Sequence, residues 1–171
     1  MITLRKAKEE DLAVIQQIGT ITYGPTYGHL IGQEQVDFML DKFYSIVALT
    51  QQLMEGHTFL IAQEGDKDLA FVSYSVEEHA KHLIVKLHKL YVLPEAHGKG
   101  LGKFLINEVR NKAIEAGAES LVLNVNRNNK AKDFYEKAGF IVKETVDIEI
   151  GNGFFMNDYV MALPIVPVNP T

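Results

Sequence analysis

The sequence predicts a mixed α/β (α+β) fold with a largely antiparallel sheet, and three observations carry that prediction. Apolar residues in the first third recur at helical spacing. From residue 58 the chain changes to short apolar or alternating runs punctuated by Gly, Pro and Asn. Helical stretches at 99–116 and 130–138 then interrupt the strands, which groups strand pairs around β-α-β units.

The elements follow in order. Residues 2–5 read as a short strand. The acidic triplet Glu9-Glu10-Asp11 suits the positive end of a helix, which Leu12, Ile15, Ile18 and Ile21 continue along one face. Gly24-Pro25 predicts its end, because proline lacks the N–H that a helix interior needs. Residues 23–32 then read as an aromatic, glycine-rich loop. Residues 33–55 are helical again through Val36, Met39, Leu40, Phe43, Ile46, Leu49 and Leu53, with Ser45 either inside one helix or at a break between two. Strands are expected at 58–63 and 69–76 around the turn Glu64-Gly65-Asp66-Lys67, and at 83–93, stopped by Pro94. The helix at 99–116 turns Leu101, Phe104, Leu105, Val109 and Ala113 inward and ends at Gly117. A strand at 120–126, a short helix at 130–138, and two antiparallel strands at 140–150 and 154–163 around Gly151-Asn152-Gly153 complete the order βααβββαβαββ.

The bulk numbers set bounds. A chain of 171 residues suits one domain, expected over 1–163, with an extended tail at 164–171. In that tail Ile165-Val166-Pro167-Val168 could pack on a second copy, as a homodimer. Zero cysteines exclude disulfides, thiolate metal sites and a cysteine nucleophile, and the histidines show no metal-ligand spacing, so no metal is expected. A net charge of −5 weighs against a nucleic-acid partner, which wants a basic face. No apolar stretch reaches membrane-span length and the N-terminus lacks a signal-peptide core; no membrane partner and a cytoplasmic location are the default expectations.

Residues 97–102, His97-Gly98-Lys99-Gly100-Leu101-Gly102, carry the strongest functional signal. Three glycines at alternate positions lie between an apolar strand and an amphipathic helix. Amides left unpaired at a helix start, in a field positive by roughly half a charge, favour an anion such as a phosphate. A plain connection would not need three glycines, each costly in backbone entropy. Two glycine-rich designs fail on spacing. A Walker A loop needs Gly five residues before Gly102-Lys103 and Ser or Thr after it, where His97 and Phe104 stand. A dinucleotide fingerprint needs a third Gly where Lys103 or Leu105 stands.

The third design is a resemblance. Residues 90–105, Leu-Tyr-Val-Leu-Pro-Glu-Ala-His-Gly-Lys-Gly-Leu-Gly-Lys-Phe-Leu, resemble the acetyl-CoA loop of the GNAT superfamily of N-acetyltransferases, with Gly100 and Gly102 at the matching positions and His97 where Arg or Gln is usual. A second block agrees: Leu123-Asn124-Val125, then Asn128, Ala131, Tyr135 and Gly139-Phe140. The resemblance spans about Thr58 to Phe140. It implies a GNAT-like, six- to seven-stranded sheet flanked by helices, with acetyl-CoA as cosubstrate and direct transfer of its acetyl group to a primary amine. It further implies that Leu90, Tyr91 and Val92 pair with the pantetheine arm, with the Val92 N–H facing the thioester oxygen. His97, Gly98, Lys99, Gly100, Leu101, Gly102 and Lys103 would surround the diphosphate, Asn128 would meet the coenzyme arm, and Tyr135 would stand by the sulfur. Asn128 also reads as the N-cap of the following helix.

The chemistry adds a demand. An alkylamine of pKa about 10.4 is mostly protonated at pH 7, a handicap of roughly 4–5 kcal/mol, so a base or water relay is required. Many relatives carry a glutamate on the strand before the loop; here Val85-Lys86-Leu87-His88-Lys89-Leu90 has none, and His88 is the candidate base. Glu77 and Glu78 are alternatives through water. Tyr23, Tyr27, His29 and Glu77 are the candidate acceptor contacts, with Asp147, Glu149 and Asn157-Asp158-Tyr159 on the last strands. The two-helix insert and the chain's ending resemble the polyamine-acetylating branch, which implies a small amine such as a polyamine as acceptor. A protein or peptide N-acetyltransferase and a non-catalytic CoA-binding module are the alternatives.

Overall fold

The structure is a computed structural model in which residues 1–165 are described; the tail segment from Val166 to Thr171 lies outside them. Strand β1 (Ile2–Lys6) and a 3-10 turn at Glu9–Asp11 lead into helices α1 (Leu12–Ile31), α2 (Gln33–Tyr44) and α3 (Ile46–Met54). Strands β2 (Thr58–Glu64), β3 (Lys67–His79) and β4 (His82–Val92) follow, then α4 (Leu101–Ala116), β5 (Ser120–Asn126), α5 (Ala131–Lys137), β6 (Ile141–Gly151) and β7 (Phe154–Pro164). The seven strands form one sheet in the order β1-β2-β3-β4-β5-β7-β6. The β1–β2, β2–β3, β5–β7 and β6–β7 pairs are antiparallel, and β4–β5 is parallel, so the mixed, largely antiparallel sheet is as expected.

Contacts cluster the chain into two compact units. The first comprises Met1–Ser75 and Lys89–Ile106. Its core is Leu12, Ile15, Ile18, Val36, Leu49, Phe59, Ile61, Phe71 and Leu105, all essentially removed from water. The second comprises Val76–His88 and, among the described residues, 107–165, and its core holds Leu121, Leu123, Val125, Phe140 and Met161.

Three local expectations are corrected. Helix α1 does not stop at Gly24-Pro25 but runs through Pro25 to Ile31, with Gly32 at φ +84° as its stop. Thr22 Oγ1 donates to Ile18 O at 2.8 Å and Thr26 Oγ1 to Thr22 O at 2.8 Å, while the Tyr23 and Tyr27 rings, one turn apart with centroids at 4.5 Å, clasp the turn around the proline. Tertiary packing here outweighs a local breaker worth about 3 kcal/mol. On the same helix Ile21 is 44 % exposed and Thr22 takes the inward position, since 3.6 residues per turn carry the face from Ile18 to residue 22. Of the two readings left open for residues 33–55, the structure takes the break: the extended backbone of Ser45 (ψ 154°) interrupts the helix, and its Oγ accepts from the Ala48 N–H at 3.1 Å. The tail expected from residue 164 is shortened, because Pro164 ends β7 and the buried Ile165 donates its N–H to Glu119 O at 2.8 Å.

Two hairpins in the second unit share one turn geometry with different residues. Asn152 and Gly153, between β6 and β7, have φ +54° and +77°. That is the type I′ pair for which Asn-Gly is the favoured sequence. Ala80 and Lys81, between β3 and β4, have φ +49° and +71°. Neither is suited to the left-handed region, where a Cβ crowds the following carbonyl. Replacing Ala80-Lys81 by Asn-Gly is expected to stabilise the fold by about 1 kcal/mol, measured as a higher urea midpoint at unchanged m-value.

Candidate active site

In the first unit the backbone shapes the candidate site. Leu90, Tyr91 and Val92 end β4 half-buried, and the Leu93 N–H donates to Leu69 O at 2.9 Å. A 3-10 turn at Pro94–Ala96 follows, closed by Ala96 N–H to Leu93 O at 2.9 Å. His97 folds back so that its Nε2 lies 3.1 Å from Val92 O. Gly98 and Gly100 then take φ +85° and +74°, and a Cβ at either would point into open space. These glycines are required by backbone conformation, and their open side leaves peptide atoms accessible. Helix α4 starts at Leu101, two residues later than expected, with Phe104 N–H on Gly100 O at 3.0 Å. The N–H groups of Leu101, Gly102 and Lys103 precede that first helical bond, so they lead the positive end of a 16-residue helix. Lys99 and Lys103 are exposed, and Lys99 Nζ is 3.3 Å from Glu64 Oε2. Phe104 is half-buried rather than fully inward; Ile106 is buried beside Leu105 and Val109.

Beneath this strand end lies a group that sequence reading missed. Lys89 is 8 % exposed, with Nζ donating to Gln52 Oε1 at 2.8 Å and lying 5.2 Å from the Tyr44 ring centroid. No carboxylate forms an ion pair with it among the described residues, and burial lowers its pKa to about 8. Around it Tyr91 meets Tyr23 and Tyr44 at 6.1 Å and Phe71 at 6.0 Å between centroids. Burial also pushes the Tyr44 and Tyr91 phenols well above their usual range. The candidate acceptor residues Tyr23, Tyr27 and His29 therefore sit on α1, not on a loop: Tyr23 is buried in the ring cluster, Tyr27 is half-buried against it, and His29 is exposed in the last turn.

The second unit holds a polar network across three adjacent strands. The parallel ladder pairs Ile84–Leu87 with Ser120–Leu123, and His88 is the next, half-buried residue of β4. Lys86 Nζ donates to Asn124 Oδ1, and Asn124 Nδ2 donates to Asp158 Oδ2 at 3.5 Å. Burial lowers the Lys86 pKa, while Glu77, Asp158 and Glu144 draw it back up. Asp158, 4 % exposed, is raised by burial and restrained by Asn124, Lys86 and Arg127. Glu77 also takes His79 Nε2 at 2.9 Å, and Asp147 is paired with Arg127 at 2.7 Å. Tyr135 is buried on α5 between Phe134 and Phe140, with centroids at 5.4 and 5.7 Å. Asn128 is exposed and is not the N-cap: that position falls on Lys130, which makes no side-chain cap, and Asn129 Oδ1 takes the Ala131 N–H at 2.9 Å from the residue before it. No group of three or more His, Asp or Glu side chains is placed to hold a metal among the described residues, and no described helix is long and apolar enough to cross a membrane.

Comparison with known proteins decides the family. The model described as "Acetyltransferase (GNAT) domain" matches residues 55–142, half of the chain. The chain belongs to the GNAT acetyltransferase family. It is an N-acetyltransferase, and enzymes of this family draw their acetyl group from acetyl-CoA. An uncharacterized N-acetyltransferase of Mycobacterium tuberculosis is 29% identical over 137 residues, covering 80% of this chain and 86% of that protein. A spermidine N(1)-acetyltransferase of Thermoplasma acidophilum is 25% identical over 150 residues, 84% of this chain and 91% of that protein. The fold matches the crystal structure of the PaiA N-acetyltransferase of Thermoplasma acidophilum in complex with coenzyme A at a TM-score of 0.78, with 24% identity and coverage of 96% and 99%.

Within this GNAT chain Lys89 has a measurable signature. Its pKa falls on folding from 10.5 to about 8, so between those values the unfolded chain holds a proton that the folded chain has released. Unfolding free energy therefore rises with pH across that window, and the penalty for burying the charge is fully present below pH 8. At about 1.4 kcal/mol per pKa unit the rise is roughly 3 kcal/mol. Urea midpoints at pH 7, 8.5 and 10 are expected to climb for the wild type relative to Lys89→Met, in which this contribution is absent.

Proposed function

We propose that the enzyme transfers the acetyl group of acetyl-CoA to the primary amine of a small cationic acceptor, a polyamine or a close chemical relative. One observation carries the choice of acceptor: the ammonium of Lys86 is drawn on by three carboxylates, Glu77, Asp158 and Glu144, from strands on either side of it. Burial still leaves the Lys86 pKa lowered, but the three carboxylates outnumber its single ammonium, and that surplus of negative charge suits an alkylammonium substrate. The relative named as a spermidine N(1)-acetyltransferase supports the same class.

In this reading the coenzyme's diphosphate lies on the amides of residues 98–103, where a peptide cradle needs no compensating side-chain charge. The pantetheine arm pairs with Leu90–Val92, and the Val92 N–H faces the thioester oxygen. An amide held there stabilises the charge that develops on that oxygen without reorganising. The acceptor amine loses its proton to His88, directly or through water, and attacks the thioester carbon. The C–S bond then breaks, and the Tyr135 hydroxyl supports the departing thiolate by a hydrogen bond that strengthens as charge builds. A phenol near pKa 10 is a weaker acid than a thiol near 8.5, so complete transfer from tyrosine precedes collapse only at a cost.

Thiol release from acetyl-CoA with spermidine, spermine and putrescine, set against short peptides with free N-termini, tests the acceptor. At least tenfold higher kcat/KM on a polyamine is expected, and the reverse order overturns the small-cation reading. Tyr135→Phe is expected to lower kcat about tenfold or more while the KM for acetyl-CoA stays within a few-fold. Unchanged turnover removes Tyr135 from the chemistry.

A further inference from the structure

We infer that His97 is a positioning residue that couples the two halves of the coenzyme site, the strand end at Val92 and the diphosphate turn at residues 98–103, through the hydrogen bond from its ring to the Val92 carbonyl. The inference rests on the acetyl-CoA reading of the turn and adds a role for a side chain at which this chain departs from the family pattern.

The geometry is specific. The Val92–Leu93 peptide is engaged at both polar atoms: its N–H donates to Leu69 O at 2.9 Å and its carbonyl accepts from His97 Nε2 at 3.1 Å. A peptide plane bonded at both ends does not rotate freely, so the strand is held in register to its last residue. Between the two anchors the chain is stiffened by Pro94 and by the bonds from Ala96 to Leu93 at 2.9 Å and from His97 to Pro94 at 3.2 Å. The His97 ring then closes this segment immediately before Gly98 and Gly100 enter the left-handed region at φ +85° and +74°. Those glycines have no side chains to hold the turn against the strand. His97 supplies that hold from outside the turn, and Lys99, paired with Glu64 at 3.3 Å, adds a second tie to the end of β2.

A ligand that spans both halves feels this spacing, and one that occupies only the strand does not. Binding energy from the diphosphate can lower the barrier at the distant thioester only if the two subsites are rigidly related. The His97 side chain makes one hydrogen bond with its ring N–H, and glutamine can present an N–H donor from the same position. A phenylalanine of similar bulk cannot.

The test is a cycle of protein and donor variants. Wild type, His97→Gln and His97→Phe are assayed with acetyl-CoA and with S-acetylpantetheine, which lacks the diphosphate. About a tenfold loss of kcat/KM is expected for His97→Phe on acetyl-CoA, with less than a twofold loss on S-acetylpantetheine; His97→Gln stays within about threefold of wild type on both. Where S-acetylpantetheine turns over too slowly, inhibition constants for CoA and pantetheine complete the same cycle. An equal loss with both donors marks a merely structural role and overturns the inference. So does an unaffected His97→Phe, or a glutamine variant as impaired as phenylalanine. Absence of thiol release by the wild type overturns instead the reading on which the inference rests.

Discussion

Tyr44 lies against Gly19 so closely that a Cβ on Gly19 would overlap its ring. The first unit depends on this contact. With no side chain between them, α1 and α2 approach near enough for the Tyr44 ring to reach Tyr91 on β4 and to cover the ammonium of Lys89. The outcome is a strand whose buried face is filled by large aromatic rings and whose end is therefore held in place. A candidate site made of peptide N–H groups needs that support, because a backbone donor can be aimed only by fixing the chain that carries it.

The two lysines of β4 show how differently one strand can treat the same charge. Lys86 is half-buried and compensated: an amide accepts from it and three carboxylates act on it. Lys89, three residues on and on the opposite face by strand alternation, has a glutamine and a ring but no ion-pairing carboxylate among the described residues. Hydrophobic packing around Lys89 thus carries a charge penalty below pH 8, while around Lys86 three carboxylates offset part of the burial cost without cancelling it.

The conformation of the candidate donor turn was legible before the fold. The alternate glycines at 98, 100 and 102, the strand before them and the amphipathic helix after them point to an anion held by backbone. Both left-handed glycines and the helix start at Leu101 bear out that conformation. The setting of the candidate acceptor residues was less legible. Pro25 reads as a breaker and so puts Tyr23, Tyr27 and His29 on a loop, yet they ride a helix whose stability comes from rings and hydroxyls flanking the proline. Asn128 reads as a cap in sequence, yet the helix starts at Ala131 with Lys130 at the N-cap, and it is Asn129 whose side chain takes the Ala131 N–H.

The amino-acid order by itself determined the strand succession, the hairpin at Asn152-Gly153 and the glycine turn, since each follows from local periodicity or from a φ that few residues tolerate. Only the tertiary structure decided that α1 passes through Pro25, that Lys89 is buried beside Gln52 and Tyr44, and that His97 bonds to the Val92 carbonyl. Those outcomes depend on groups that neighbouring elements bring within reach. A lysine's burial or a histidine's partner is set by the atoms around it, which its own stretch of chain does not encode.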